Sequence, residues 1–379
     1  MRDYSLKDRA WIWLNMSLGM SISTIDRLVY LNDGIEALYM SALKDFDVRL
    51  PDTVTAQQKS RLKSNRDEGM IDAYIKRLDS KGFYAVTRES ADYPKLLREI
   101  FDPPTVLFVK GRLKGDHALP IAIVGSRKCT DYGRFVAKHF GQELVKNGAC
   151  VISGMADGCD SASAWGALSV KDADYPTAAV LGTGIDVIYP SSNAKLYNAI
   201  AERGAVISEY GLSVKGSRES FPRRNRIISG MSKGVLVAEA GTRSGTSITV
   251  GFAHEQGRDV FAVPGRITDL MSVGTNRMIK NGEAKAVFAV DDILVEYGFS
   301  RIKTDAALDI ASGMPVNPSR AADLPKEQRV VYETLLLGEK TQDELCEMLG
   351  LSAQEINILL TEMELSGIIH KEDGGSYSV

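Results

Sequence analysis

From about Thr105 onward the sequence predicts an α/β fold, a parallel sheet with helices on both faces. Two observations carry this. Short apolar runs follow one another at residues 121–124, 150–153, 178–181, 205–208, 234–238, 260–263 and 286–288. Amphipathic stretches such as 131–147, 191–203 and 244–256 lie between them. Strand, helix, strand at this spacing gives parallel pairing with helical crossovers. In such sheets ligands collect at the carboxyl ends of the strands. The loops that matter are therefore Gly125-Ser126-Arg127, Ser153-Gly154-Met155-Ala156, Gly182-Thr183-Gly184 and the small-residue run from Ala240 to Gly245.

The flanks read differently. Residues 1–85 look helical, because Trp11, Leu14, Leu18, Ile22, Ile25, Leu28 and Val29 recur at helical spacing. A second apolar pattern, Ile71, Ile75 and Leu78, follows a charged stretch. A connector punctuated by Asp92-Tyr93-Pro94 and Asp102-Pro103-Pro104 leads into residues 86–298, the α/β region. Residues 299–324 lack strong periodicity and read as a linker. Residues 325–379 resume with helical stretches at 326–337, 341–349 and 352–366, then a two-strand ribbon at 368–371 and 376–379 around Gly374-Gly375. That is the order of a winged helix, with the third helix in the recognition position. Residues 352–364 carry acids and no Lys or Arg. A duplex reader needs cations for the phosphates, so this domain is expected to bind protein, or DNA only weakly.

The composition, 44% hydrophobic and 25% charged over 379 residues, is that of an ordinary globular protein of two or three domains. Cys129, Cys150, Cys159 and Cys346 form no CxxC pair and no metal-like spacing with the four histidines. That fits a reduced, cytoplasmic setting with Cys150 and Cys159 buried. Asn15 and Ser17 interrupt the one candidate signal segment, and no apolar run approaches the length of a membrane span.

The segment from Gly216 to Gly265 is the most informative. Between Lys215 and Arg266 stand nine Lys/Arg against four Asp/Glu, in a chain of net charge -3. Basic charge concentrated in this way points to a local polyanion site. In Phe221-Pro222-Arg223-Arg224-Asn225-Arg226 the proline suits a helix start. Arginines in a first turn oppose the helix dipole and call for an anion, such as a backbone phosphate. The alternative is an internal salt-bridge network with Glu209 and Glu239. Asn225 can pair with a base edge or hold a loop. Gly241-Thr242-Arg243-Ser244-Gly245-Thr246 opens a helix directly after a strand, which suits a phosphate. It lacks the Gly-Lys-Ser/Thr of a Walker loop, so ATP hydrolysis is not supported. After Val124, Gly125 permits a tight turn, Ser126 can cap a phosphate and Arg127 can grip it or stack on a base. Alternatively this is a strand-to-helix turn with a surface arginine. Gly182-Thr183-Gly184 is half of a dinucleotide fingerprint, with Val187 where the third glycine belongs. It supports close backbone approach to a ligand more than a nicotinamide cofactor; a turn with a Tyr189-Pro190 stop is the other reading. No cofactor and no metal is expected. Ser153 and Ser244 lack an evident His/Asp partner, His254 reads as surface or packing, and the tryptophans read as core or interface.

Taken together, these motifs resemble the DNA-processing protein A family, also called Smf. The resemblance rests on D-Y-P (92–94), D-P-P (102–104), V-G-S-R (124–127), S-G-M-A-D-G (153–158), G-T-G-I-D-V-I-Y-P (182–190), S-E-Y (208–210), F-P-R-R-N-R-I-I-S-G (221–230), V-A-E-A with R-S-G-T (237–246) and F-A-V-P-G (261–265). It covers residues 93–296 nearly end to end. It implies an extended Rossmann-like domain that binds single-stranded DNA and forms a homodimer, flanked by a sterile-alpha-motif-like helical domain and a winged helix. It further implies a recombination mediator that protects incoming strands during natural transformation and loads the RecA recombinase onto them. Carried onto this sequence, Arg127, Arg224, Asn225 and Arg226 would line the strand groove, with Gly125, Ser126, Lys195, Arg223, Arg243, Ser244 and Gly245 nearby. One departure stands out: the family pattern G-I-D-x-x-A-H becomes Gly158-Cys159-Asp160 with Ala164 in place of the histidine.

Two functions follow for test. The first is a non-enzymatic single-strand binder that needs no membrane. The second is a nucleotide phosphoribohydrolase-like enzyme on the same scaffold, with Glu239 as the catalytic acid or base. The arginine cluster is larger than one phosphate needs, and Glu239 has no clear partner in sequence.

Overall fold

The computed structural model describes residues 2–16, 21–44, 46–242, 244–299, 324–336, 339–366, 368–371 and 375–378. Two compact units result, Met1–Ile302 and Lys303–Val379. The 299–324 stretch lies almost wholly outside the described residues, as do Leu18 of the first apolar pattern and Gly374 of the ribbon turn.

Five helices open the first unit: α1 (Leu6–Met16), α2 (Ile22–Leu31), α3 (Ile35–Lys44), α4 (Ala56–Ser64) and α5 (Glu68–Ser80). A nine-stranded sheet follows, made of β1 (Tyr84–Thr87), β2 (Val106–Gly111), β3 (Pro120–Val124), β4 (Cys150–Ser153), β5 (Thr177–Leu181), β6 (Ala205–Ser208), β7 (Gly234–Val237), β8 (Asp259–Ala262) and β9 (Lys285–Ala286). Its order is β1-β2-β6-β5-β4-β3-β7-β8-β9. From β6 to β9 all neighbours are parallel. β1 and β2 extend the β6 edge in antiparallel fashion. These two strands leave no strand signal in the sequence. β1 has only four residues, too few for an alternation to show, and β2 sits in the region read as a connector.

The chain runs from β3 to β6 towards one edge and then returns to β7 beside β3. The β3/β7 junction is therefore the topological switch point, where the two crossovers leave in opposite directions and open a crevice. The inner strands β3 to β7 are buried along their whole length, as a sheet covered on both faces requires. Alternate residues serve the two layers. Ala179 and Leu181 face the core that includes α8 (Cys159–Leu168), α9 (Ala194–Arg203) and the N-terminal helices. Ala178 and Val180 face the core that includes α10 (Ser220–Gly230) and α11 (Thr246–Glu255).

The N-terminal helices share the first of these cores. Trp11 and Trp13 are buried together with Phe108, Leu181 and Val206 of the sheet. The boundary expected at residue 85 falls inside β1, and the helices bury their apolar faces against one another and against the sheet. Helix α7 (Asp131–Lys146) packs on α8 backbone to backbone. A Cβ on Gly141 would lie 2.3 Å from the Ser163 carbonyl oxygen, and one on Gly166 would lie 2.0 Å from that of Lys138.

In the second unit α14 (Lys326–Leu336), α15 (Gln342–Leu349) and α16 (Ala353–Leu365) enclose a small core containing Val331, Leu345, Ile356 and Leu360. Capping boxes start α15 (Thr341 with Glu344) and α16 (Ser352 with Glu355). Gly350, with φ of 66°, ends α15. The ribbon strands β11 (His370–Lys371) and β12 (Ser376–Ser378) are joined by β10 (Lys340–Thr341), which sequence spacing did not reveal. The order is that of a winged helix, with α16 third.

Two glycine substitutions separate packing from propensity. Gly166→Ala should cost about 1–3 kcal/mol, because the backbone it would strike cannot yield. Gly251→Ala, in α11 with no atom within 4 Å of the new methyl, should add about 0.5–1 kcal/mol. Chemical denaturation of both variants checks the pair, and equal effects would contradict the helix contact.

Candidate nucleic-acid interface

At the switch point the structure opens a cavity of about 740 Å³. One wall is the loop after β3, Gly125 to Lys128. The other is the loop after β7 running into α11, including Gly241, Ser244, Gly245 and Thr246. Helix α10 supplies Phe221, Pro222, Arg224, Asn225 and Ile228, and Leu270 with Met271 forms the far rim.

Backbone bonds lock the walls together. The Ser126 amide donates to the Glu239 carbonyl at 2.9 Å, and the Cys159 amide donates to the Ser126 carbonyl at 3.2 Å. The Glu239 carboxylate is buried and accepts from the Thr130 amide at 2.8 Å and from the Thr130 hydroxyl. Thr130 caps α7, so Glu239 places its charge at that helix's positive end. Gly158, with φ of 80°, is obligatory: a Cβ there would meet the Ser126 carbonyl oxygen at 2.2 Å. Met155 also adopts a left-handed backbone, with φ of 53°. The Asn193 side chain holds its carbonyl at 2.9 Å.

The arginine cluster divides. A helix turns by about 100° per residue, so Arg223 and Arg226 share one side of α10 and Arg224 takes another. Arg224 is 5% exposed and reaches into the sheet. Its Nη1 donates to the Gly154 carbonyl at 2.8 Å and to the Val180 carbonyl, and its Nε donates to Asn225 Oδ1 at 3.1 Å. Burial lowers its pKa to about 10, which leaves it a cation at neutral pH. Asp160, also buried, accepts from the Gly154 amide at 3.0 Å, and burial raises its pKa.

Arg223 and Arg226 do not line this cavity. They face a second cleft and an acidic pair. Arg226 Nη2 lies 2.5 Å from Glu209 and its Nε 3.2 Å from Asp102, while Arg223 Nε lies 3.5 Å from Glu209. For these two positions the internal network with Glu209 is the observed arrangement. Glu239 takes no part in it.

Other expected residues are placed as follows. Gly125, Ser126, Arg127, Asn225, Ser244 and Gly245 come together at the cavity. Ser244 accepts from the Thr246 amide at 3.2 Å and so helps start α11. Lys195 is exposed in the first turn of α9 and does not line the cavity. Arg243 lies outside the described residues. Ala164, in place of the family histidine, is fully buried in the core. The close approach expected at Gly182 is made by protein: a Cβ there would meet the Phe221 ring at 2.6 Å.

Two aromatic residues extend the site beyond the sequence-based set. The Phe221 and Tyr189 rings lie 5.1 Å apart, and Tyr189 is 51% exposed. The exposed Arg127 guanidinium sits 5.7 Å from the centre of the Phe221 ring. Both aromatics stand inside motifs noted above, but only the fold shows that they meet.

The Arg226 arrangement makes a stability prediction. Arg226→Ala would leave Glu209 buried without its closest cation and should cost about 3–5 kcal/mol. A change below about 1 kcal/mol in chemical denaturation would instead mark an exposed-type ion pair.

Comparison with known proteins agrees with this architecture. Residues 84–298 match the family model described as DNA recombination-mediator protein A, and residues 315–375 match the DprA winged helix domain. The chain is 34% identical to protein Smf of Escherichia coli (strain K12) over 374 residues, covering 96% of this chain and 94% of that protein. It is 44% identical to DNA processing protein DprA of Streptococcus pneumoniae over 207 residues, 55% of this chain and 72% of the relative. The X-ray structure of Streptococcus pneumoniae DprA superposes with a TM-score of 0.64 at 33% identity, covering 79% of this chain and 100% of that one. A DNA processing protein A from Helicobacter pylori, solved to describe its single-stranded DNA binding mode, gives a TM-score of 0.52 at 28% identity, covering 57% of this chain and 97% of that one. With its sheet, its switch-point cavity and its winged helix in this order, the chain belongs to the DNA recombination-mediator protein A family.

Proposed function

We propose that the chain holds single-stranded DNA in the switch-point cavity, protects it and passes it to the RecA recombinase during natural transformation. The observation that carries this reading is the cationic loop beside an aromatic pair: Arg127 over Phe221, with Tyr189 next to it. Cations that track the backbone next to rings that stack on bases hold a strand without reading its sequence. Gly125, Ser126, Asn225, Ser244 and Gly245 contribute close approach and polar contacts. Arg224 acts from behind as a fixed buried charge. The single-strand binding described for the Helicobacter pylori relative supports the same reading.

The protein works as a cytoplasmic homodimer and carries out no catalysis. Among the described residues no helix is long and apolar enough to cross a membrane. Residues 86–298 supply the DNA site, residues 299–324 a linker, and residues 325–379 a winged helix that engages protein or holds DNA weakly. Consistent with this, α16 presents Glu355 and Glu362 and an exposed Ile358. The phosphoribohydrolase alternative is weakened because the carboxylate of Glu239 is buried and occupied as a helix cap.

Fluorescence anisotropy with labelled oligo-dT and a matched duplex, over a range of salt, tests the proposal. Single strand should be preferred, with a log–log salt slope of roughly -3 if about four phosphates are neutralised. Arg127→Ala should reduce affinity and make the slope shallower by about one. Phe221→Ala should cost about 1–3 kcal/mol of binding and leave the slope unchanged. A slope near zero in the wild type would overturn the reading.

A further inference from the structure

Helix α10 stands between two depressions. Phe221, Arg224 and Asn225 face the switch-point cavity. Arg223 and Arg226 face the second cleft, a space of about 340 Å³. The N-terminal helices contribute to that cleft through Leu14 of α1, Ile25 of α2 and Arg61 of α4. Its buried charges are matched within the protein, Arg226 against Glu209 and Asp102.

The segment that leads into α10 belongs to both depressions. Lys215 and Ser217 line the second cleft. Between them Gly216 lies against the aromatic wall of the cavity: a Cβ there would meet the Phe221 ring at 2.8 Å and the Thr183 methyl at 2.9 Å. The backbone of this segment is held at both ends. The Gly184 amide donates to the Val214 carbonyl at 2.7 Å. The Ser217 amide donates to the Ser220 hydroxyl at 2.8 Å, and the Ser220 amide donates to the Ser217 hydroxyl at 3.0 Å.

The side chains on this fixed backbone are not engaged. Lys215 and Arg218 are exposed, and among the described residues neither side chain makes a hydrogen bond or ion pair with the protein. Arg223 adds a third exposed cation, 3.5 Å from Glu209 and 3.9 Å from Asp102. Residues 215–223 thus carry three cations against one acid, Glu219. A cation without a protein partner keeps its attraction for a polyanion, and a row of them beside a strand site extends that site along the backbone.

We propose that a strand held in the switch-point cavity continues past Phe221 across residues 215–218 towards the second cleft, with its phosphates on Lys215 and Arg218. The partner is single-stranded nucleic acid, whose backbone can turn around the end of a helix. A duplex, stiff over about 150 base pairs, does not follow such a path. The inference rests on the single-strand reading above and lengthens its footprint. The N-terminal helices then border the strand as well as covering the sheet.

The test compares the full chain with its Lys215→Ala/Arg218→Ala variant by fluorescence anisotropy. Both side chains are exposed and unengaged, so their removal leaves the packing intact. Two labelled oligo-dT probes are used, one of about six nucleotides to fill the cavity alone and one of about twenty to reach the loop. The double variant should bind the short probe as the wild type does and lose affinity severalfold for the long one. Its log–log salt slope for the long probe should be shallower by about 1.4, the share of two phosphates on a single strand. Lys215→Arg/Arg218→Lys should keep wild-type affinity for both probes, and Arg127→Ala should weaken both. Unchanged binding of the long probe by the double alanine variant would overturn the proposal and leave the cavity reading in place. An equal loss on both probes would also overturn it, since the loop would then add nothing beyond the cavity. A wild type that binds neither probe would overturn the cavity reading and this extension with it.

Discussion

Glu239 is the residue on which the rest of the site depends. Its carbonyl takes the Ser126 amide and so fixes the end of β7 against the loop after β3. Its carboxylate takes the Thr130 backbone and hydroxyl and so fixes the start of α7. One buried residue, through its backbone and its side chain, thus joins both walls of the switch-point crevice to the helix that leaves it. Three elements distant in sequence are held in one geometry before any ligand arrives. Gly133, in the first turn of α7, has no side chain because the Glu239 carboxylate occupies that space, 2.6 Å from where a Cβ would stand.

The second constraint is how the arginines of α10 divide between structure and surface. A cation removed from water needs partners that offset its lost hydration. Arg226 finds Glu209 and Asp102, and Arg224 finds two strand-end carbonyls and Asn225. The two carbonyls, together with the buried Asp160 carboxylate nearby, hold Arg224 in place as a cation. The cavity therefore has a cation fixed in its wall as well as the exposed Arg127 and Lys128 at its mouth. A fixed charge acts on an anion without the side-chain ordering cost that a surface lysine incurs.

Much of this was legible in the sequence, for reasons that differ by element. The six strands from β3 to β8 were visible because buried parallel strands are short apolar runs, whereas the run expected at 286–288 meets the short, partly exposed β9 only at Ala286. The β1–β2 extension was not, since neither its antiparallel pairing nor its shared core with Trp11 and Trp13 leaves a periodic signal. The loops of the cavity could be read from their small residues. For Arg223 and Arg226 the sequence offered Glu209 as one of two possible partners but could not choose it over an anion or find Asp102, because Asp102 and Glu209 become neighbours only when β2 pairs with β6. The Tyr189–Phe221 pair is likewise a product of the fold.

The shared core of helices and sheet also bears on how the chain reaches this state during synthesis. The N-terminal helices are made before the sheet, yet the surface they cover includes Leu181 and Val206. Strand β2 waits for β6, about a hundred residues later, before its second edge is paired. At roughly 5–20 residues per second that interval is about 5–20 s, during which two buried tryptophans and an open strand edge stand exposed on the nascent chain. A fold with its oldest and youngest contacts so far apart is slow to close. Until β6 has emerged, that apolar surface and strand edge are open to non-native contacts.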